Sequence, residues 1–268
     1  MAKDQARNGD LAGYDRPPVI EVVYGVVFAP LKAWKLPHVG LFWQRILSEF
    51  PRCENAFPIP GTEFIDPSAG LPIPRAWLIN DADDRLVQLQ PGRLLLNWRR
   101  RERAGPYPRY KALSERFFEL FLEFQRFVAE NQLGEIEVSE YELTYINHVF
   151  EQEGWEFPAD IGRVIEHLSW KKERYKFLPQ PSPLAWQARF DFPEGPGTLL
   201  VKLTPAKHTK EGRDLLALEL SARGLPAEVS LDNMKRWFSH AHRWIVRGFE
   251  DLTSDEAQIA LWGKHAAR

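Results

Sequence analysis

Cysteine is almost missing from this chain: Cys53 is the only one in 268 residues. That excludes an intramolecular disulfide and any metal cluster built from several cysteines. No apolar run approaches the ~20 residues of a helical membrane span, and no signal peptide is recognisable, so the sequence points to a soluble, cytoplasmic protein without a membrane partner. Net charge is nearly absent too. Lys plus Arg (35) offset Asp plus Glu (37) to leave −2, which gives no global field for a polyanion and confines any nucleic-acid site to a local patch.

Catalytic fingerprints are equally scarce. There is no Gly-x-Ser-x-Gly elbow, and Cys53 stands in a proline-rich stretch without a histidine partner. Gly195-Pro196-Gly197 lacks the Lys and hydroxyl residue of a phosphate loop and reads as a hairpin turn. His240 and His242 lie two apart in a helical pattern and so face different ways. His38, His148, His167, His208 and His265 show no ligand spacing. The sequence therefore assigns no catalytic residue, no metal and no cofactor, and leans away from an enzyme.

What is present is architecture. An apolar fraction of 44% with 13% aromatic residues is that of an ordinary globular protein. Arg85 to Arg99 alternates as two strands around Pro91-Gly92, where a reversal is needed. Leu113, Phe117, Leu120, Phe121, Phe124 and Phe127 then recur at helical steps and demand burial. Before this hairpin, 1–16 reads as a mobile tail and Val19 onward as a central strand apolar on both faces. A helix from Pro37 carries Val39, Phe42, Trp43, Ile46 and Phe50 and ends at Pro51, Cys53 to Pro74 reads as a long surface loop, and RAWLIND is a strand.

The same order then begins again. Tyr141 to Phe150 is a strand, Pro158 to Leu168 a short helix, and Leu184 to Phe192, Thr198 to Leu203 and Leu215 to Leu220 a three-stranded meander. Ser230 caps a second long helix with the stripe Leu231, Met234, Phe238, Ala241, Ile245 and Phe249. Matching elements lie about 120 residues apart, an element-level repeat. The expected fold is α+β: two tandem β-α-β-β-β-α units, 17–136 and 137–268, forming one pseudo-symmetric antiparallel sheet backed by two long helices in one compact domain.

Such a sheet leaves its other face partly open. If Leu94, Leu96 and Trp98 point inward, Asn97 and Arg99 point outward; if Trp186, Ala188 and Phe190 point inward, Gln187, Arg189 and Asp191 point outward. Gln88, Gln90, Glu142, Thr144, His148 and Lys202 can join that polar face. Its plain reading is a solvated sheet side; the sharper one is a surface for a partner. A basic loop, Arg99, Arg100, Arg101 and Arg103, is flanked by Trp98 and by Tyr107, Arg109 and Tyr110. Guanidinium groups pair with phosphate while aromatic rings stack on bases, so this loop could hold a single strand. Glu102 interrupts it, and a solvated loop is the simpler account. A second basic-aromatic stretch, Trp170 with Lys171, Lys172, Arg174 and Tyr175, is open to the same two readings.

The segments QLQPGRLLLNWRRRE and YPRYKALSERF, with PPVIEVVYGVVFAP, GLFWQRILSEFP and a terminal WGK, resemble a sporadically distributed bacterial family of unknown function and similar length. The likeness spans nearly the whole chain, and Gln88, Gln90, Asn97, Trp98, Tyr107, Pro108 and Tyr110 carry it. It implies no activity and no cofactor. The family's patchy distribution resembles that of mobile defence, toxin-antitoxin or immunity genes, so the resemblance implies a regulatory protein acting through a co-encoded protein partner. Two alternatives stand beside this reading. One is a nucleic-acid binder using Arg99 to Tyr110; the other is a hydrolase or nuclease with His148 and Glu142 near its centre.

Overall fold

The computed structural model describes residues 11–265 except 60–63, 66–69, 71, 103, 152, 157, 169–176, 180 and 182–183. Arg103, the tail before Leu11, part of the proline-rich stretch and the segment from Trp170 to Tyr175 therefore lie outside the described residues.

In chain order the elements are β1 (Gly13–Tyr14), β2 (Val19–Phe28), α1 (Leu36–Ile46), β3 (Arg52–Ala56), β4 (Arg75–Ile79), β5 (Arg85–Gln90), β6 (Arg93–Arg99) and α2 (Arg109–Glu130). They continue with β7 (Val138–Phe150), a 3-10 turn (Pro158–Arg163), β8 (Trp186–Asp191), β9 (Thr198–Lys207), β10 (Asp214–Gly224), α3 (Leu231–Leu252), a π-helical turn (Ala257–Leu261) and β11 (Lys264–His265). Nine strands form one sheet in the order β3-β4-β5-β6-β2-β7-β10-β9-β8, and β1 pairs separately with β11. All the pairings are antiparallel. The fold is α+β with a large antiparallel sheet.

The β-branched run of β2 sits at the sheet's centre between β6 and β7, which is why it is apolar on both sides. Pro91 and Gly92 connect β5 to β6. A Cβ on Gly92 would lie 2.9 Å from the Phe28 carbonyl oxygen, so the turn docks on the end of β2 only without a side chain there. The Ser230 hydroxyl accepts from the Asn233 N–H at 3.2 Å and starts α3 as its sequence predicts.

Both long helices cover one face. Phe117 of α2 packs on Tyr24 of β2 at 5.4 Å between ring centroids and on Phe238 of α3 at 5.3 Å. Phe124 meets Phe28 at 5.6 Å and Phe42 of α1 at 5.3 Å, and Phe238 meets Tyr141 of β7 at 5.6 Å. Each such side chain contributes about 1.5–3 kcal/mol through burial, so the aromatic stripe of α2 anchors the helix layer.

Four expectations need correcting. Arg52–Ala56, expected as the start of a loop, is the edge strand β3; its RCENA sequence has no apolar alternation, and pairing with β4 makes the strand. The helix expected to run toward Pro51 stops at Ile46, and Trp43 and Ile46 then hold the Phe50 backbone, by Nε1 to its carbonyl at 2.7 Å and by a carbonyl accepting its N–H at 2.9 Å. The helix expected over Pro158 to Leu168 is a 3-10 turn ending at Arg163. The last residues of the expected tail are ordered: Gly13 and Tyr14 pair with His265 and Lys264, and the buried Tyr14 bonds Gln258.

Candidate binding face of the sheet

Strand alternation decides what stands opposite the helices. On β6, Leu94, Leu96 and Trp98 enter the core, so Arg93, Leu95, Asn97 and Arg99 project from the other side. The register sets Gln88 of β5 against Leu95 and Trp77 of β4 against Gln88. It sets Glu142 of β7 against Gly25 of β2, and Arg223 of β10 against Glu142. Arg75, Trp77, Gln88, Gln90, Arg93, Asn97, Arg99, Glu21, Glu142 and Arg223 therefore share one face.

These side chains form a connected network. The Arg75 guanidinium donates to Gln88 Oε1 at 2.8 Å, Gln88 Nε2 to Asn97 Oδ1 at 2.7 Å, and Asn97 Nδ2 to Glu21 Oε1 at 2.6 Å. The Ile59 N–H donates to Gln90 Oε1 at 3.4 Å. Farther along, the Thr144 and Ser221 hydroxyls bond at 2.7 Å, and Glu142 lies 3.4 Å from Arg223 and 3.9 Å from Arg93. Burial raises the Glu21 carboxyl above its ordinary value, against the lowering pull of Asn97, Arg99 and Arg101. Burial, then the nearby Arg93 charge, hold Arg75 below its ordinary value.

The face is rich in fixed donors. Buried Nε atoms of Arg75, Arg93, Arg99 and Arg223 and the indole N–H of Trp77 have no hydrogen-bond partner among the described residues. The Trp77 ring lies between two guanidiniums, 5.4 Å from Arg75 and 6.0 Å from Arg99. Carboxylates or backbone carbonyls of a partner would match this array.

Of the residues singled out in the sequence, Gln88, Gln90, Asn97 and Arg99 come together here. Gln187 and Arg189 project from the same face at its far end, on the exposed β8, where Arg189 meets Asp191 at 3.2 Å. Arg100 and Arg101 stand apart. Arg99 and Arg101 both bond the Asp83 carboxylate, at 2.9 Å and 2.7 Å, and Arg100 donates to the Pro17 carbonyl at 2.7 Å. The basic loop thus presents fewer free guanidiniums than its sequence suggests. Tyr107, Arg109 and Tyr110 lie on the helix side instead: the Tyr107 ring sits 4.8 Å from Trp98, and its hydroxyl bonds that of Tyr145 at 3.1 Å. Burial pushes the Tyr107 phenol up to about 12.

His148 and Glu142 do not converge. Both are on β7, six residues apart, hence separated by about 20 Å along an extended strand. Burial, then the nearby His208, lower the His148 pKa. Among the described residues no three His, Cys, Asp or Glu side chains gather as a metal site, and no helix is long and apolar enough to cross a membrane.

Sequence reasoning missed Arg75, Trp77 and Arg93. The signal for the first two was the alternation of RAWLI, which sends Arg75 and Trp77 to one side; the signal for Arg93 was its place across the hairpin from Gln90. No family model, no curated protein and no solved structure matches this chain.

Proposed function

We propose that the chain is a non-enzymatic binding or regulatory protein that acts through a protein partner encoded beside it, in a defence or toxin-antitoxin setting. The observation that carries this reading is the bare exposure of two phenylalanines: Phe57, just after the edge strand β3, is 91% exposed, and Phe177 is 94% exposed. Large aromatic side chains at the surface are the usual anchors of protein interfaces, where an apolar centre excludes water. The donor-rich sheet face adds polar contacts around such anchors.

Two finer readings belong to the same proposal. The chain is a tandem repeat, 17–136 and 137–268; in support, β2 and β7 lie side by side with β6-β5-β4 outward of one and β10-β9-β8 outward of the other, the first set carrying the additional edge strand β3, and a long helix follows each set in the chain. Its site of action is the cytoplasm, consistent with a single, exposed Cys53.

The test is affinity purification of the chain from its host at low and at moderate salt, beside a Phe57→Ser, Phe177→Ser double variant. A stoichiometric protein that survives the salt step and is lost with the double variant is the expected result. Nucleic acid that co-purifies at low salt and leaves at moderate salt would replace this reading with the phosphate-binding alternative.

A further inference from the structure

On the helix side, away from the polar face, lies a cavity of about 610 Å³. It is bounded by β1, the first turn of α2, the middle of α3 and the start of β2. That volume is in the range of sites for small organic ligands, about 300–1,000 Å³. Its inner walls are apolar, from Val19, Leu220, Ile245 and Phe249.

Polar groups converge at particular points of this apolar space. The paired Tyr107 and Tyr145 hydroxyls stand at one side, 3.1 Å apart. The Tyr110 and His242 rings stack at 4.0 Å with 20° between their planes and present a flat aromatic wall. No hydrogen bond engages either His242 ring nitrogen among the described residues, and burial lowers its pKa to about 4, so the ring is neutral at pH 7.

The mouth is electropositive. The Lys111 side chain lines it, its ammonium without an ion pair or hydrogen bond among the described residues. The Arg109 guanidinium lies beside it, donating to the Tyr14 carbonyl at 2.9 Å and sitting 5.6 Å from the Tyr107 ring. The one carboxylate in the lining, Asp15, faces His265 at 3.5 Å. The N-cap of α2, Pro108, supplies no side-chain acceptor, so the positive end of that helix is left uncompensated at the mouth.

Arg109 adds a second kind of observation. Its φ of +69° places a non-glycine residue in the left-handed region at the first position of a helix. Such strain persists only where the surrounding structure holds it. Here it accompanies a guanidinium that is tied to β1 and set at the cavity's edge.

We propose that this cavity binds a small amphipathic carboxylate, with an apolar or aromatic body between α3 and the sheet and its anionic head at Arg109 and Lys111. This site is independent of the partner surface. Its size and apolar walls select the body, and two cations against one lining carboxylate, Asp15, select the head.

The test is a titration of the full chain with two fluorescent probes: anilinonaphthalene sulfonate, which is anionic, and phenylnaphthylamine, which is neutral. The anionic probe is expected to bind one per chain, with blue-shifted emission, and to be displaced far more effectively by laurate than by dodecanol. Lys111→Ser should weaken the anionic probe about fivefold, the scale of one partly exposed charge contact, and leave the neutral probe unchanged; Lys202→Ser, on the other face, should change neither. Val246→Trp, which projects a large ring from α3 into the cavity, should abolish both. If that variant does not fold, Ala12→Phe narrows the cavity from the opposite wall. Failure of both probes to bind overturns the proposal, as do equal losses of the two probes in Lys111→Ser or undiminished binding in a folded cavity-filling variant. Binding that disappears in Phe57→Ser, Phe177→Ser marks exposed surface and overturns it too.

Discussion

Asn97 and Trp98 are neighbours on β6 and are almost equally hidden from water, at 3% and 1% exposure, yet different physics holds each in place. Trp98 is wrapped by the aromatic layer beneath the helices and touches Tyr107. Asn97 lies across the strand in a polar network, with Gln88 donating to it and its own amide donating to Glu21. The lesson is that the face without helices is not simply the wet side of the sheet. Over β5, β6 and the first half of β7 it is a buried polar layer, at β4 it is half-buried, and at β8 the same face is exposed. A polar layer is kept buried only where its hydrogen bonds close on one another.

The comparison breaks first at Trp98. Trp98→Ala removes a large ring from a packed core, which typically costs about 3–5 kcal/mol. Guanidinium unfolding should show a loss of stability of that size, read as the midpoint shift multiplied by the slope of the transition. An unchanged midpoint would mean that the helix face is far less tightly packed at this strand than its burial implies.

The helix face also contains a charge-sensitive point. The folded pKa of His242 is lowered by burial from 6.5 to about 4. Its neutral ring therefore supports the fold fully above pH 6.5, and this support is lost as pH falls toward 4, by roughly 3 kcal/mol in all. His148 and His240 shift in the same direction, chiefly through burial. His242→Phe keeps an aromatic partner for Tyr110 without a titrating nitrogen. Between pH 7 and pH 4.5 this variant should lose clearly less stability than the parent chain; equal losses would show that His242 is not protected from protonation.

How legible this was differs between the two faces. The helix face could be read nearly residue by residue, because apolar periodicity is imposed by the same burial that forms it: Phe117, Phe124 and Phe238 are where their spacing puts them. Alternation also gave the sidedness of Asn97, Arg99, Gln187 and Arg189. The exposure of these polar residues could not be read, since a glutamine in a closed network and one in water have the same letter. Arg99 and Arg101 looked like free phosphate ligands because their partner, Asp83, lies across a tight turn in a left-handed conformation of φ 58° and forms no motif with them. The edge strand β3 and the pairing of Gly13–Tyr14 with Lys264–His265 were invisible for a related reason: backbone pairing, not side-chain pattern, makes them.

The finest division falls within the polar face itself, between Asn97 and Arg189. Asn97→Ala would leave both the Gln88 amide and a Glu21 oxygen buried without their present partner, and an unsatisfied buried polar group costs about 1–3 kcal/mol. Arg189→Ala removes an exposed contact with Asp191 on an edge strand, and such pairs are worth roughly 0–1 kcal/mol. Side by side, the unfolding midpoints should move measurably for Asn97→Ala and barely for Arg189→Ala. Equal small shifts would mean that water reaches Gln88 and Glu21 readily, so that the buried polar layer opens in solution and its donors are free for a partner. A large shift for Asn97→Ala alone implies the opposite: the network is a structural seam, and a partner must engage this face from its exposed β8 end or through the unused Nε groups of Arg75, Arg93 and Arg223.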